Sequence, residues 1–215
     1  MKKLTIHTSK LLTVITALMV TCYLTANVMA VKVIHVFGIS IFDAGTIIFP
    51  LTYMLGELTT ELFGARQARR MVWLTFACQL IFTLFAWIGT LLPYPVEMEE
   101  TASAYSMVFG FVPRIMLASL TAFLVGEMTN VHVMSYIKQH FGGPLWTRTI
   151  TSSLFGYTLD TTIFVLIAFG SSLPVEQLSS MILIQIGVKV LIEITCSTPM
   201  TYLVTRMVKT KNDKD

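Results

Sequence analysis

DAGTIIFPLTYMLGELTTELFG, residues Asp43–Gly64, is the stretch on which the reading of this chain turns. A membrane crossing takes about 20 mostly apolar residues, and this stretch has the length, yet it holds Asp43, Pro50, Glu57 and Glu61. Glu57 and Glu61 stand one turn apart on one helical face. Gly56, Thr60 and Gly64 form a small-residue stripe at four-residue spacing, which lets another helix approach closely. With Asp43–Phe63 counted, the chain has six candidate spans. The others are Leu11–Val31, Met71–Leu92, Met107–Val133, Ile150–Gly170 and Leu178–Val204. Without it, the basic run Arg66–Arg70 and the acidic run Glu97–Glu100 fall on inconsistent sides.

Loop charge supports the count. Lys2, Lys3, Lys10, Arg66, Arg69, Arg70, Lys138, Arg148, Arg206, Lys209, Lys211 and Lys214 share one side if six spans alternate. Only Lys32 joins Glu97, Glu99, Glu100 and Glu176 on the other. The excess of Lys and Arg on cytoplasmic loops then places both termini in the cytoplasm. The expectation is an all-α membrane protein, a bundle of six transmembrane helices in residues 11–205. A cytoplasmic tail at residues 1–10 precedes it and a basic cytoplasmic tail at 206–215 follows.

Composition agrees. Of 215 residues 54% are hydrophobic and 13% charged, against about 25% charged in soluble domains. The net charge of +3 does not indicate nucleic acid, because the basic residues cluster at helix ends on one side. Cys22, Cys78 and Cys196 all fall in apolar segments and read as inert core thiols, without a disulfide or metal spacing. Met1–Lys3 followed by an apolar run and Val28-Met29-Ala30 mimics a cleavable secretory signal, but the run is long and contains Asn27. No nucleotide-binding loop, HExxH, nucleophile elbow or cluster of histidines appears. No catalytic residue, metal or cofactor is therefore expected, and the chain does not read as an enzyme.

Chemistry is to be sought where charge interrupts the spans: Glu57, Glu61, Arg114, Glu127, Asp160, Lys189 and Glu193. A charge near the bilayer centre costs roughly 2.5–3.5 kcal/mol on insertion scales, so these residues need a wet, paired or ligand-filled interior. Glu61 can pair locally with Arg66 or Arg69. Arg114 follows Pro113 and can pair with Asp43 at the same level. Glu127 and Asn130 share a face and could hold one planar polar ligand. The four-residue stripe Ser152, Gly156, Asp160 continues to Phe164, a candidate stacking surface. Gln185, Lys189 and Glu193 line another face, where Lys189 and Glu193 can pair. Gly56-Glu57 and Gly126-Glu127 echo each other on spans running in the same direction, at similar depth. Five acidic groups against two basic ones leave carboxylates in surplus. Glu57, Glu61, Asp160 and Glu193 are candidates for carrying a proton. A static polar core that only fixes helix packing would show the same surplus.

Several of these landmarks occur together in a known family. Asn27-Val28-x-Ala30-x-Lys32, Asp43-Ala44-Gly45-x-x-x-Phe49-Pro50-Leu51-x-Tyr53, Gly56-Glu57 and Glu61-x-Phe63-Gly64 resemble the VUT family, the bacterial queuosine precursor transporters. So do Arg114-x-x-x-Ala118-Ser119, Gly126-Glu127-x-x-Asn130, Arg148-x-x-x-Ser152-Ser153-x-x-Gly156 and Asp160-Thr161-x-x-Phe164. The similarity runs from about residue 12 to residue 205. It implies a six-span importer in the bacterial inner membrane for 7-cyano-7-deazaguanine and 7-aminomethyl-7-deazaguanine, salvaged for queuosine in tRNA. It implies secondary transport without a partner ATPase module; short cytoplasmic loops leave such a module little docking surface. A second reading is a substrate-binding subunit of an energy-coupling-factor-type transporter for a vitamin-like or purine-like compound. Such a cargo presents an N–H and an amino group side by side, a carbonyl, and a flat ring. Glu57, Glu127 or Asp160 would take its donor edge, and Asn27, Asn130 or Lys189 its acceptor edge. Tyr53, Phe164 or Trp146 would stack on it, and Arg114 completes the expected set. Small-residue stripes permit a homodimer.

Overall fold

A computed structural model describes residues 2–36, 39–110, 113–171 and 174–212, with side chains except those of 2–9, 33, 35, 36, 39–42, 113–116 and 209–212. Helix α1 (Lys2–Met29) leads into a two-stranded antiparallel hairpin, β1 (Val33–Val36) and β2 (Ile39–Asp43). Then come α2 (Gly45–Phe63), α3 (Ala65–Leu91), a single 3-10 turn (Val96–Met98), α4 (Glu99–Phe109) and α5 (Pro113–His140). Next are α6 (Leu145–Phe169), α7 (Val175–Ile192), a π turn (Glu193–Ser197) and α8 (Thr198–Asn212).

The chain is thus predominantly helical, in keeping with the all-α expectation, with a short hairpin added to the bundle. Its strands are rich in Val and Ile, which suit extended backbone, in a stretch expected to be loop. Span boundaries also shift. Met107 belongs to α4, and the next helix begins at Pro113, whose fixed φ suits a first helical turn. Helix α1 already starts at Lys2 and α8 continues to Asn212, so both expected tails are helical where described. A π turn, Glu193–Ser197, interrupts the regular helix just before Pro199.

Among the described residues, four helical stretches are long and apolar enough to cross a bilayer: Lys10–Met29, Ala65–Leu91, Leu145–Phe169 and Val175–Val208. The protein is accordingly a multi-pass membrane protein. Helix α3 shows why: Ala68, Met71, Val72, Thr75, Gln79 and Thr83 face inward, while Trp73, Leu80, Ile81, Leu84 and Phe85 are exposed. Large apolar side chains outside and polar ones inside is the reverse of a soluble helix.

Helices α2 and α5 are not in that apolar set. Helix α2 sits in the middle of the bundle, with Thr52 to Glu61 buried without interruption. One side of it, with Met54, Leu55 and Leu58, joins a hydrophobic core made with Ile15, Met19 and Tyr23 of α1, Met71 and Val72 of α3 and Phe123 of α5. Tyr23 and Phe123 stack at 3.8 Å. The other side of α2 faces α6 and α7 and carries the polar residues. Gly64 links α2 directly to α3 at φ 84, a backbone conformation that suits glycine.

Of the cysteines, Cys22 and Cys78 are half-buried and Cys196 is exposed, so the expectation of core thiols is not met.

Candidate functional site

The polar side of α2 is a four-residue ladder: Phe49, Tyr53, Glu57 and Glu61. Against it runs α6 in the opposite direction, presenting Asp160, Tyr157, Ser153 and Arg148. Helical periodicity puts the α2 set on one face and Ser153, Tyr157 and Asp160 on another, and each rung is a specific contact. At the end away from the hairpin, Glu61 accepts from Arg148 Nη1 at 2.9 Å and from Lys138 Nζ at 3.0 Å. These partners replace the expected Arg66 and Arg69; Arg148 is buried inside α6 rather than lying in a loop. One rung up, Glu57 Oε1 accepts from Ser153 Oγ at 2.5 Å and from Ser152 Oγ at 3.5 Å. Beside it, Tyr157 donates to Glu193 Oε2 and Thr198 to Glu193 Oε1, both at 2.9 Å. The next rung sets the Tyr53 and Tyr157 rings against each other, tilted by 45°, with ring centres 4.4 Å apart.

The top rung is an ion pair. Lys189 Nζ lies 2.6 Å from Asp160 Oδ2, donates to Thr161 Oγ1 at 3.0 Å, and sits 4.6 Å above the Phe49 ring. Lys189 therefore pairs across helices, not with Glu193 on its own. Both partners are almost fully buried, so each neutralises a charge the bilayer interior would disfavour.

This pair lines a half-open cleft at the hairpin end of the bundle, enclosing about 450 Å³ of empty space with its mouth included. Asn27, Asp43, Thr46, Phe49, Ser119, Phe164 and Gln185 also line it. Asn27 is already engaged: its amide donates to the Tyr23 carbonyl at 3.0 Å and its oxygen accepts from Ser119 Oγ at 2.7 Å. Asp43 accepts from the Thr46 N–H at 3.1 Å, capping the start of α2. Gln185 is buried, with Nε2 unpartnered.

Below Asp160 lies a second group. Tyr53, Glu127 and Asn130 have no exposed surface, and the Tyr53 hydroxyl, both Glu127 oxygens and both amide atoms of Asn130 lack a hydrogen-bond partner. The Thr52 hydroxyl lies beside Glu127, but it donates to the Phe49 carbonyl at 2.7 Å. A buried polar group left unmade costs about 1–3 kcal/mol. Five such atoms together mark a place that something else satisfies.

Of the expected residues, Asn27, Asp160, Phe164 and Lys189 are brought together in the cleft, and Tyr53, Glu127 and Asn130 beneath it. Glu57 and Glu193 form a deeper layer, and Glu61 is held at the far end. Trp146 is 56% exposed near the start of α6, away from the cleft. Arg114 lies in the first turn of α5, and its side chain is outside the described residues. Phe49, Ser119 and Gln185 were not singled out as site residues from sequence. The i+4 spacing of Phe49 to Tyr53 and Glu57, and of Gln185 to Lys189, was the available signal. Among the described residues, no group of three or more His, Cys, Asp or Glu side chains is placed to hold a metal.

Comparison with known proteins adds identity to this geometry. Residues 43–204, from the end of β2 into the first half of α8, match the profile of the family described as "Putative vitamin uptake transporter". The chain belongs to this family. It is a family of transporters, not of enzymes. The chain is 32% identical over 153 residues to the "Probable queuosine precursor transporter" of Bacillus subtilis, covering 70% of this chain and 66% of that one. It is 31% identical over 159 residues to the "Queuosine precursor transporter" of Escherichia coli, covering 73% and 69%. A third relative, from Haemophilus influenzae, shares 29% over 130 residues, covering 60% and 52%. The chain thus spans from about half to just over two thirds of the lengths of these relatives. No solved structure matches it.

Proposed function

We propose that the protein imports 7-deazaguanine precursors of queuosine across the bacterial inner membrane. The substrates are 7-cyano-7-deazaguanine and its aminomethyl relative. In this reading the bundle crosses the membrane six times, with both termini cytoplasmic. Helices α2 and α5 make the two crossings that apolarity alone does not reveal, shielded by their neighbours. The hairpin end, with Lys32, then faces outward and the Glu61–Arg148–Lys138 network faces the cytoplasm.

The observation that carries the reading is the stacked polar interior. A cleft opens at one end, unpartnered groups lie beneath it, and an ion-pair network closes the other end. Polar groups at membrane depth occur where they line a ligand or ion path. A flat base suits Phe49 and Phe164 in the cleft, since aromatic faces stack on heterocycles. The names of the relatives support the cargo. Transport is secondary, by alternate opening of the two ends. Glu57 and Glu193, beside each other around α6, are its proton-carrying candidates.

The test is in cells blocked in precursor synthesis, with the gene deleted or restored and 7-cyano-7-deazaguanine supplied at nanomolar concentration. Queuosine is expected in tRNA only where the gene is present. Equal queuosine in both strains would contradict the proposal.

A further inference from the structure

Tyr53, Glu127 and Asn130 meet where α5 and α6 cross, and glycines decide their positions. A methyl group on Gly126 would strike the Tyr53 hydroxyl and Asp160 Cβ. One on Gly156 would strike the Tyr53 ring, 2.5 Å away, and crowd Asn130 Cβ at 3.3 Å. One on Gly56 would come within 2.9 Å of Glu127 Oε2. Three helices therefore come close around the group at glycines. Asp160 Cβ borders Gly126 on this side, while the residue lines the cleft on the other. Asp160 therefore stands between the cleft and the buried group.

Each polar group in the cleft except Gln185 has a use already: Asn27 on Ser119, Asp43 on Thr46, Lys189 on Asp160 and Thr161. The groups beneath it are the ones left free. We infer that the base is read by Tyr53, Glu127 and Asn130, that the cleft is the way in, and that the reading selects bases with a 2-amino, ring N–H and 6-oxo edge. This rests on the transport function proposed above and assigns the residues that read its substrate.

The chemistry follows from the order of groups. Glu127, ionised when the base is bound, offers two acceptors side by side and no donor. Its complement is two adjacent donors, which a ring N–H next to an exocyclic amino group supplies. Asn130, three residues on and on the same helix face, offers an amide N–H to the neighbouring carbonyl. A base without the 2-amino group leaves one Glu127 oxygen buried and unpaired. A base with an amino group in place of the carbonyl sets donor against donor at Asn130. Such mismatches are what a site built from buried polar groups discriminates against most strongly. The 7-substituent lies off this edge, so nitrile and aminomethyl forms both pass.

The experiment is calorimetric titration of the purified full-length protein with 7-cyano-7-deazaguanine and with its 2-deamino analogue, for wild type and Glu127→Gln. Loss of one hydrogen bond to a charged group corresponds to about 10- to 150-fold in affinity. Wild type is expected to prefer the 2-amino base by that factor. In Glu127→Gln the preference collapses toward one, because the amide replaces one acceptor by a donor. Asn130→Asp weakens both bases alike, since both carry the carbonyl. Binding of the 2-amino base with no preference in wild type would overturn the inference while leaving the transport function standing. So would a preference unchanged in a folded Glu127→Gln protein. Failure of wild type to bind either base would remove the function and this inference together.

Discussion

Asp160 and Lys189 meet at 2.6 Å inside the bundle, and each depends on the other. A buried pair adds little net stability, but removing one partner strands a charge and costs about 3–5 kcal/mol. Lys189→Met is therefore expected to lower the unfolding temperature much more than the double change Lys189→Met with Asp160→Leu. Equal losses in thermal scans of the two purified variants would contradict this. The charges themselves were legible in sequence as interruptions of apolar runs. Their partners were not. Glu61 has Arg66 within local reach, yet it finds Arg148, 87 residues along, and Lys189 passes over Glu193 for Asp160, 29 residues back. Neighbours at i+4 compete with residues on a facing helix, and the register of that helix is set by packing that one sequence does not display. The pairing of Glu127 with Asn130 on one face, by contrast, needed only helical periodicity and was legible.

At the scale of elements, α2 is the surprise that its own sequence announces. Its polar ladder has the right spacing for one face, and the small residues Gly56 and Thr60 let α5 come close. Helices α5 and α6 lie together along most of their length, and Gly126 and Gly156 are where they touch, since each would set its Cβ near the other's carbonyl oxygen. Gly156→Ala forces a methyl into the Tyr53 ring, and overpacking of this kind costs about 1–3 kcal/mol. Gly187→Ala on α7 meets nothing within 4 Å and is expected to be neutral or to stabilise by up to about 1 kcal/mol. Parallel unfolding measurements check the pair; an equally tolerated Gly156→Ala would refute the close crossing. The sequence did not disclose the β1–β2 hairpin. Its strands are only 4 and 5 residues long, so their Val and Ile residues give too short a pattern to stand out from a loop. In the last span the helix widens into a π turn that begins at Glu193. There the widened turn buries both Glu193 and Ser197 toward the polar interior.

For the whole molecule, hydropathy and loop charge gave a helical membrane bundle, and the structure adds the division of labour. Apolar helices α1, α3, α6 and α7 carry surface suited to lipid, while α2 and α5 bring polar groups to the middle. Hydropathy finds only the first kind, because a helix screened by its neighbours need not be apolar itself. That arrangement supports a protein that moves its ligand through the bundle instead of merely holding it at one end. The central claim is best tested with the purified protein in sealed vesicles, without ATP or any other protein, under an inward proton gradient. The account predicts that labelled 7-cyano-7-deazaguanine accumulates inside and that collapsing the gradient abolishes the accumulation. Binding of the base to the vesicles without entry would contradict it, and would make the protein a capturing subunit that relies on a partner for transport.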